Sequence, residues 1–275
     1  MAYEDIIYDA QDGIATITFN RPGRMNAMTL LMGGEIRAAL QQASDDDTVR
    51  AIIMTGAGRG FCAGADAARL SNNAAGKPRE QETLPNAGAI EGGLDLGPGF
   101  AAKYSYLPTT PKPVLAAVNG AAVGVGMVLA LYADIRFAST KARFSSAFAK
   151  RGLVPEYGVA WVLPRIVGPS KAMDILLSAR MVEAEEAYQI GLVDRLLAPE
   201  DLIDTTRAYA RDLIDQVSPR STRIVKEMVY RGLDQDFATA VDVAETETRA
   251  AGQSNDFKEG IAAWQEKRPP RFTGT

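Results

Sequence analysis

Apolar residues fall in short bursts through the first two thirds of the chain and at helical intervals through the last third. Ile6-Ile7-Tyr8 leads through the turn signal Gln11-Asp12-Gly13 into the β-branched run Ile14-Ala15-Thr16-Ile17-Thr18-Phe19, so the chain opens as a hairpin ended by Asn20-Arg21-Pro22-Gly23. Leu30, Leu31, Ile36 and Leu40 then recur at helical spacing up to Asp45-Asp46-Asp47. Arg50-Ala51-Ile52-Ile53-Met54 reads as a short buried strand feeding the glycine-rich turn Thr55-Gly56-Ala57-Gly58-Arg59-Gly60. Residues 71–98 change character, rich in Asn, Gly, Pro and Ala, and predict a mobile loop or short helices of the kind that cover an active site and wall a pocket.

From Val114 to Ala133 only Asn119 is clearly polar, a length sufficient to span a bilayer. Gly120, Gly124 and Gly126 interrupt the stretch, Pro113 precedes it and Asp134-Ile135-Arg136 ends it. A buried strand, a glycine turn and a buried helix therefore describe it better than a membrane span. Asp134–Ala138 and Arg143-Phe144 follow as short strands, then an irregular loop through Pro155. From Pro169 onward helices dominate, with starts marked at Pro199-Glu200-Asp201, Ser218-Pro219 and Asn255-Asp256. The pattern divides the chain into a mixed core, residues 1–198, and a C-terminal helical region, residues 199–275, with no internal repeat.

Composition narrows the chemistry. Of 275 residues, 47% are hydrophobic and 23% charged, which excludes a disordered or collagenous chain. The complete absence of histidine removes Ser-His-Asp and Cys-His nucleophile systems and HExxH metal sites. Acid–base work must come from carboxylates, Lys, Tyr or backbone dipoles. The lone Cys62 can form neither an internal disulfide nor a metal cluster, so a reducing, cytoplasmic setting is expected and no metal. A net charge of −4 gives no footprint for nucleic acid, although a local basic patch could hold a phosphorylated ligand. The acidic start Met1-Ala2-Tyr3-Glu4-Asp5 does not read as a signal peptide, nor Thr273-Gly274-Thr275 as a peroxisomal address.

Glycine-rich turns after strands invite a nucleotide loop, but the spacing fails. Glycines at 56, 58 and 60 are followed by Phe61, Gly124-Val125-Gly126 has Leu129 at the third position, and no GxxxxGK[ST] exists. What Phe61-Cys62-Ala63-Gly64-Ala65-Asp66 and Val123-Gly124-Val125-Gly126 do offer is exposed backbone N–H groups beside small side chains. Two such groups converging on one oxygen form an oxyanion hole, a device that needs no imidazole.

At these residues the sequence resembles the crotonase, or enoyl-CoA hydratase/isomerase, superfamily. The resemblance runs through nearly the whole chain: Asn20-Arg21-Pro22 with Asn26-Ala27-Met28, Phe61 to Asp66, Lys112-Pro113-Val114 with Ala117-Val118-Asn119-Gly120, and Ala133-Asp134-Ile135-Arg136. It continues in Gly152-Leu153-Val154-Pro155, Leu163-Pro164-Arg165 and Asp256-Phe257-Lys258-Glu259-Gly260. It implies an α/β fold, a crotonase-like spiral of ββα turns with a C-terminal helical trimerisation region, hence a homotrimer or dimer of trimers. It also implies an acyl-CoA thioester as substrate, coenzyme A entering as part of it with no other cofactor. Carried onto this chain, the thioester oxygen would be held by the N–H groups of Ala65 and Val125.

The hydratases of that family carry two glutamates, at positions that match Val128 and Phe148 here, and neither can activate water. A third family position, acidic in several members that shift double bonds, matches Glu156 in Val154-Pro155-Glu156-Tyr157-Gly158. One carboxylate suffices to take a proton from one carbon of an enolisable acyl chain and return it to another, and burial beside Val128 and Phe148 would give it an apolar setting. The expected activity is therefore Δ3–Δ2 enoyl-CoA isomerisation, with atypical hydration, acyl-CoA hydrolysis or catalytically silent acyl-CoA binding as alternatives. Ala63, Gly64, Asp66, Gly124, Val128 and Phe148 are expected around the substrate, with Asp66 also a helix cap. Arg24, Lys267 and Arg268 are candidates for the coenzyme A phosphates. Asp134 and Arg136 read as a structural pair, Cys62 as a small core residue, and Tyr157 as a wall or a hydrogen-bond donor.

Overall fold

The computed structural model describes residues 3–77 and 85–275. Its two sheets are built from successive turns of one spiral. The hairpin β1 (Ile6–Gln11) and β2 (Ile14–Phe19) starts the larger sheet, whose order is β1-β2-β3-β5-β7-β10, with β3 (Ala51–Gly56), β5 (Val114–Val118), β7 (Ile135–Ser139) and β10 (Arg195–Leu197) all parallel to β2. Each of the middle strands turns a corner and gives a short strand to the second sheet: β4 (Gly60–Cys62), β6 (Ala121–Val123) and β8 (Arg143–Ser145), closed by β9 (Val182–Glu183) in the order β4-β6-β8-β9. Asn119 locks two corners together, accepting from Gly56 N at 3.2 Å and donating to Gly58 O at 2.9 Å.

Parallel strands covered on both faces are apolar throughout, which is why β3 and β5 show no alternation. Ile52, Met54, Val114, Ala116 and Val118 face the main core beneath α1 (Leu30–Asp45) and α3 (Val125–Tyr132). Ala51, Ile53, Leu115, Ala117 and Phe137 face a second cluster sealed by Leu202 and Ala210 of α7 (Leu202–Gln216). Helix α1 is capped by Thr29, whose hydroxyl accepts from Met32 N at 2.9 Å, and it buries Met32, Ile36, Ala39, Leu40 and Ala43. Leu30 and Leu31, counted toward that stripe in the sequence, are only half-buried at its edge.

Two expectations change here. Asp134 and Arg136 do not pair with each other. Asp134 accepts from Val114 N and from Lys226 Nζ at 2.8 Å and Tyr230 Oη at 3.0 Å on α8 (Pro219–Gly232), whereas Arg136 pairs with Asp194 at 3.2 Å. Asp134, just before β7, and Arg136, within it, thus each pin a different late segment to the core. In the 71–98 segment, residues 78–84 lie outside the described residues. The remainder begins in α2 (Ala67–Ala74) and continues as irregular but packed chain, with Asn86, Ile90 and Leu94 buried and Leu94 N donating to Thr109 O at 2.7 Å.

The C-terminal helices α8, α9 (Phe237–Ala251) and α10 (Asn255–Glu266) carry an apolar surface that the chain itself leaves open: Val229 is 60%, Trp264 76% and Phe237 85% exposed. No described helix is long and apolar enough to cross a membrane.

Candidate active site

Two loops meet at the ends of β4 and β6. In the first, Ala63 N donates to Met25 O at 3.0 Å, Met28 N to Gly64 O at 2.7 Å and Asp66 N to Met28 O at 3.0 Å. Met28 thus spends both its backbone groups on the neighbours of Ala65, its parallel bridge partner, and leaves the Ala65 N–H turned the other way. In the second, Gly124 N donates to Ser145 O at 2.9 Å and the chain enters α3, whose first N–H groups have no acceptor within the helix. Val125 is the first residue of that helix, so its N–H sits at the positive end of the helix dipole. Among the described residues neither the Ala65 nor the Val125 N–H enters a backbone hydrogen bond.

Glycine makes the approach of the two loops feasible. A Cβ on Gly126 would stand 2.0 Å from Cys62 O, so α3 can lie against β4 only because that atom is missing. The loops touch where a Cβ on Gly124 (φ +53°) would come 3.9 Å from Gly64 Cα (φ +102°), backbone geometry that L side chains rarely adopt.

The cleft in front of these donors is lined by Ala63, Gly64, Ala65, Gly124, Val125 and Phe148, as the sequence suggested, and by Glu156 and Tyr157. It is also lined by residues that the sequence did not single out: Arg69 and Leu70 from α2, Tyr104, Ser146, Ala147, Arg151 and Leu153. Arg69 and Leu70 could have been found from their helical spacing after the Ala65 loop. Tyr104 had no local signal. It arrives from the irregular segment before β5 in a left-handed conformation (φ +63°), buried to 1% exposure and packed edge-on against Tyr157 with ring centroids 5.0 Å apart.

Several expected site residues are placed elsewhere. Val128 is fully buried on the core side of α3 and does not line the cleft. Glu156 lines it, yet is exposed rather than buried beside Val128 and Phe148, because Val154 to Glu156 form an open loop along its rim. Asp66 points away, pairing with Arg21 at 3.0 Å and accepting from Ala68 N at 3.0 Å. Burial opposes ionisation of Asp66, but the Arg21 bond and the Ala68 N–H together hold its carboxyl below the usual range. No described residue of 85–98 lines the cleft; its walls come from α2, Tyr104 and the loop after β8. Arg24 and Lys267 are exposed and lie outside the lining. Arg268 is committed to Glu259 at 2.6 and 2.9 Å and to Glu266 at 2.6 Å. Cys62 is sealed in the core, where burial pushes its thiol up to about 12.

The model of the enoyl-CoA hydratase/isomerase family matches residues 9–275. The chain belongs to the enoyl-CoA hydratase/isomerase family. It is 39% identical over 274 residues to a probable enoyl-CoA hydratase of Rhodobacter capsulatus, covering 100% of both chains. It is 35% identical over 271 residues to the 1,2-epoxyphenylacetyl-CoA isomerase of Escherichia coli, covering 98% of this chain and 99% of that one. Among solved structures, a putative enoyl-CoA hydratase of Streptomyces coelicolor superposes with TM-score 0.86 at 31% identity, covering 100% of this chain and 96% of the other. The α/β spiral described above is thus the crotonase fold, and this family's enzymes handle acyl-CoA thioesters. Val128 and Phe148, the positions where the resemblance would put the hydratase glutamates, are apolar, and among the described residues Glu156 is the carboxylate that lines the cleft.

Proposed function

We propose that the protein isomerises an enoyl-CoA double bond, Δ3 to Δ2, through an enolate held by the Ala65 and Val125 N–H groups. Both donors are aimed where negative charge develops on the thioester oxygen, so they act more strongly on the enolate than on the substrate. Glu156 removes a proton from the carbon next to the carbonyl. The freed electron pair forms a double bond between that carbon and the carbonyl carbon while the carbonyl π pair moves onto the oxygen to make the enolate, and the same carboxyl returns the proton at the far end of the conjugated system as the carbonyl re-forms. Electrons and protons balance without a cofactor. The observation that supports this reading is Glu156, the one carboxylate among the described residues lining the cleft, beside a pair of backbone donors, with apolar residues at both positions where the resemblance places the glutamates of the hydratases.

The test is Glu156→Gln assayed on a 3-enoyl-CoA. Turnover is expected to collapse while coenzyme A affinity is kept, and unchanged turnover sinks the proposal. Consumption of the conjugated thioester absorbance of crotonyl-CoA would instead favour hydration.

A second reading concerns the acyl group. Tyr104, Phe148 and Tyr157 give the cleft aromatic walls, and the Escherichia coli relative is named for a phenylacetyl thioester. These features favour a ring-bearing acyl chain, measurable as a higher kcat/KM for aryl than for linear 3-enoyl thioesters. The open apolar surface of the C-terminal helices supports assembly as a homotrimer or dimer of trimers, which sedimentation of the intact chain would test.

A further inference from the structure

A lone proton shuttle on an exposed loop poses a physical problem. General acid–base catalysis needs the carboxyl held to within a fraction of an ångström of its working position. Glu156 has no ion pair among the described residues, and its loop lies on the rim of the cleft. The next residue supplies the missing constraint. Tyr157 sits in a left-handed conformation (φ +56°) and lines the cleft, where its ring packs edge-on against buried Tyr104. Its carbonyl accepts from Tyr132 Oη at 2.6 Å. Tyr132 is the last residue of α3, the helix whose first residue is Val125. The next position must be glycine for this to happen: a Cβ on Gly158 (φ +74°) would lie 2.6 Å from the Tyr132 hydroxyl.

We infer that Tyr157 is a positioning residue for Glu156, its hydroxyl set between the Glu156 carboxylate and the Arg69 guanidinium, with Tyr132 tying the acid loop to the oxyanion helix. The inference rests on the reading of Glu156 as the proton carrier. Burial first, and then the Glu156 charge and hydrogen bond, raise the Tyr157 hydroxyl above its ordinary value, while Arg69 pulls it back. It therefore stays protonated and able to donate. Tyr132, pushed up to about 12 by burial, also remains a donor. Besides Tyr157, the ionisable groups sharing the cleft with Glu156 are Arg69 from α2, Arg151 from the turn after β8, and Tyr104. Arg151 Nη1 is turned to Ala147 O at 3.1 Å.

The experiment compares Tyr157→Phe, Tyr132→Phe and Glu156→Gln in the full chain, reading deuterium uptake from heavy water at the α-carbon of butyryl-CoA and isomerisation of 3-hexenoyl-CoA. Both phenylalanine variants keep the rings and remove one oxygen. Tyr157→Phe is expected to lower kcat about tenfold to a hundredfold, with KM within about twofold, as for loss of a hydrogen bond to a charged group. Losing a donor to a carboxylate favours its protonated form, so the acid limb of the rate profile moves to higher pH. Tyr132→Phe shifts the rate in the same direction by less. A fall in thermal stability with an unmoved acid limb overturns the inference, because packing alone would do that. If Glu156→Gln is dead and Tyr157→Phe is unchanged, the positioning role falls and Glu156 stands. If Glu156→Gln is fully active, or the wild-type chain catalyses neither reaction, both fall.

Discussion

The two walls of the cleft are built by opposite means. The donor wall, Ala63 to Ala65 with Gly124 to Gly126, is main chain held by main chain: bonds to Met25, Met28 and Ser145 fix it, and the cores under α1 and α3 support it. The acid wall, Ala147 to Tyr157, is a short helical turn at Ala149–Arg151 followed by an open stretch from Leu153 to Glu156, with left-handed residues at Ala147 and Tyr157, and it is anchored by a few side chains. Backbone donors carry no sequence information of their own, so their wall is sensitive to any added atom but indifferent to side-chain chemistry. On the proposed reading the other wall rests on the Glu156 carboxylate, which works only as itself, so it should be most sensitive to the loss of that one functional group.

The largest effect should come from adding one methyl group to the donor wall. Gly126→Ala places a carbon 2.0 Å from Cys62 O, where only backbone can yield, and should cost about 3 kcal/mol or more in a urea titration, with activity lost alongside. If it folds and turns over normally, the donor wall is not over-determined and the contrast fails. Glu156→Gln should do the reverse, lowering turnover about 10²–10⁴-fold with the unfolding midpoint unmoved.

A smaller effect tests the support beneath the donor wall. Asp66→Asn weakens the Arg21 pair and the turn into α2, and should cost about 1 kcal/mol. The Asp66 carboxyl is held below its ordinary value in the fold, so its contribution is present above the unfolded value and lost as pH falls through the folded one. The gap between wild type and variant should therefore be full above pH of about 4 and close below it, as melting curves against pH would record. The smallest effect is no effect: Cys62, beside the first donor loop, should resist iodoacetamide in the native state near neutral pH and react only on unfolding, since its thiol lies at about 12 with no exposure. Native labelling would mean that the donor wall opens.

The features legible in the sequence were those encoded locally. The hairpin, the strand and buried helix within Val114–Ala133, and the caps at Ser218 and Asp66 followed from period, turn residues and side-chain length. The three-residue strands β4 and β6 were not legible, because no periodicity fits in three residues and glycine-rich chain reads as a turn. Helix α9 also escaped, although its Asp236 cap was in plain view, accepting from Thr239 N at 2.9 Å. At the site, the motif pattern located Ala65, Val125 and Glu156 at the cleft, and the absent histidine and apolar Val128 and Phe148 narrowed the chemistry.

By itself, then, the sequence determined that no imidazole is available and that small residues flank both glycine-rich loops, and its motifs pointed to Glu156 as the candidate acid. Only the tertiary structure decided who meets whom. Tyr104 reaches Tyr157 across more than fifty positions of chain, Arg69 comes from another helix, and Val128 turns inward while Glu156 stays at the rim. Such encounters are fixed by how layers stack and where the backbone bends, a balance summed over the whole core rather than written in any one segment.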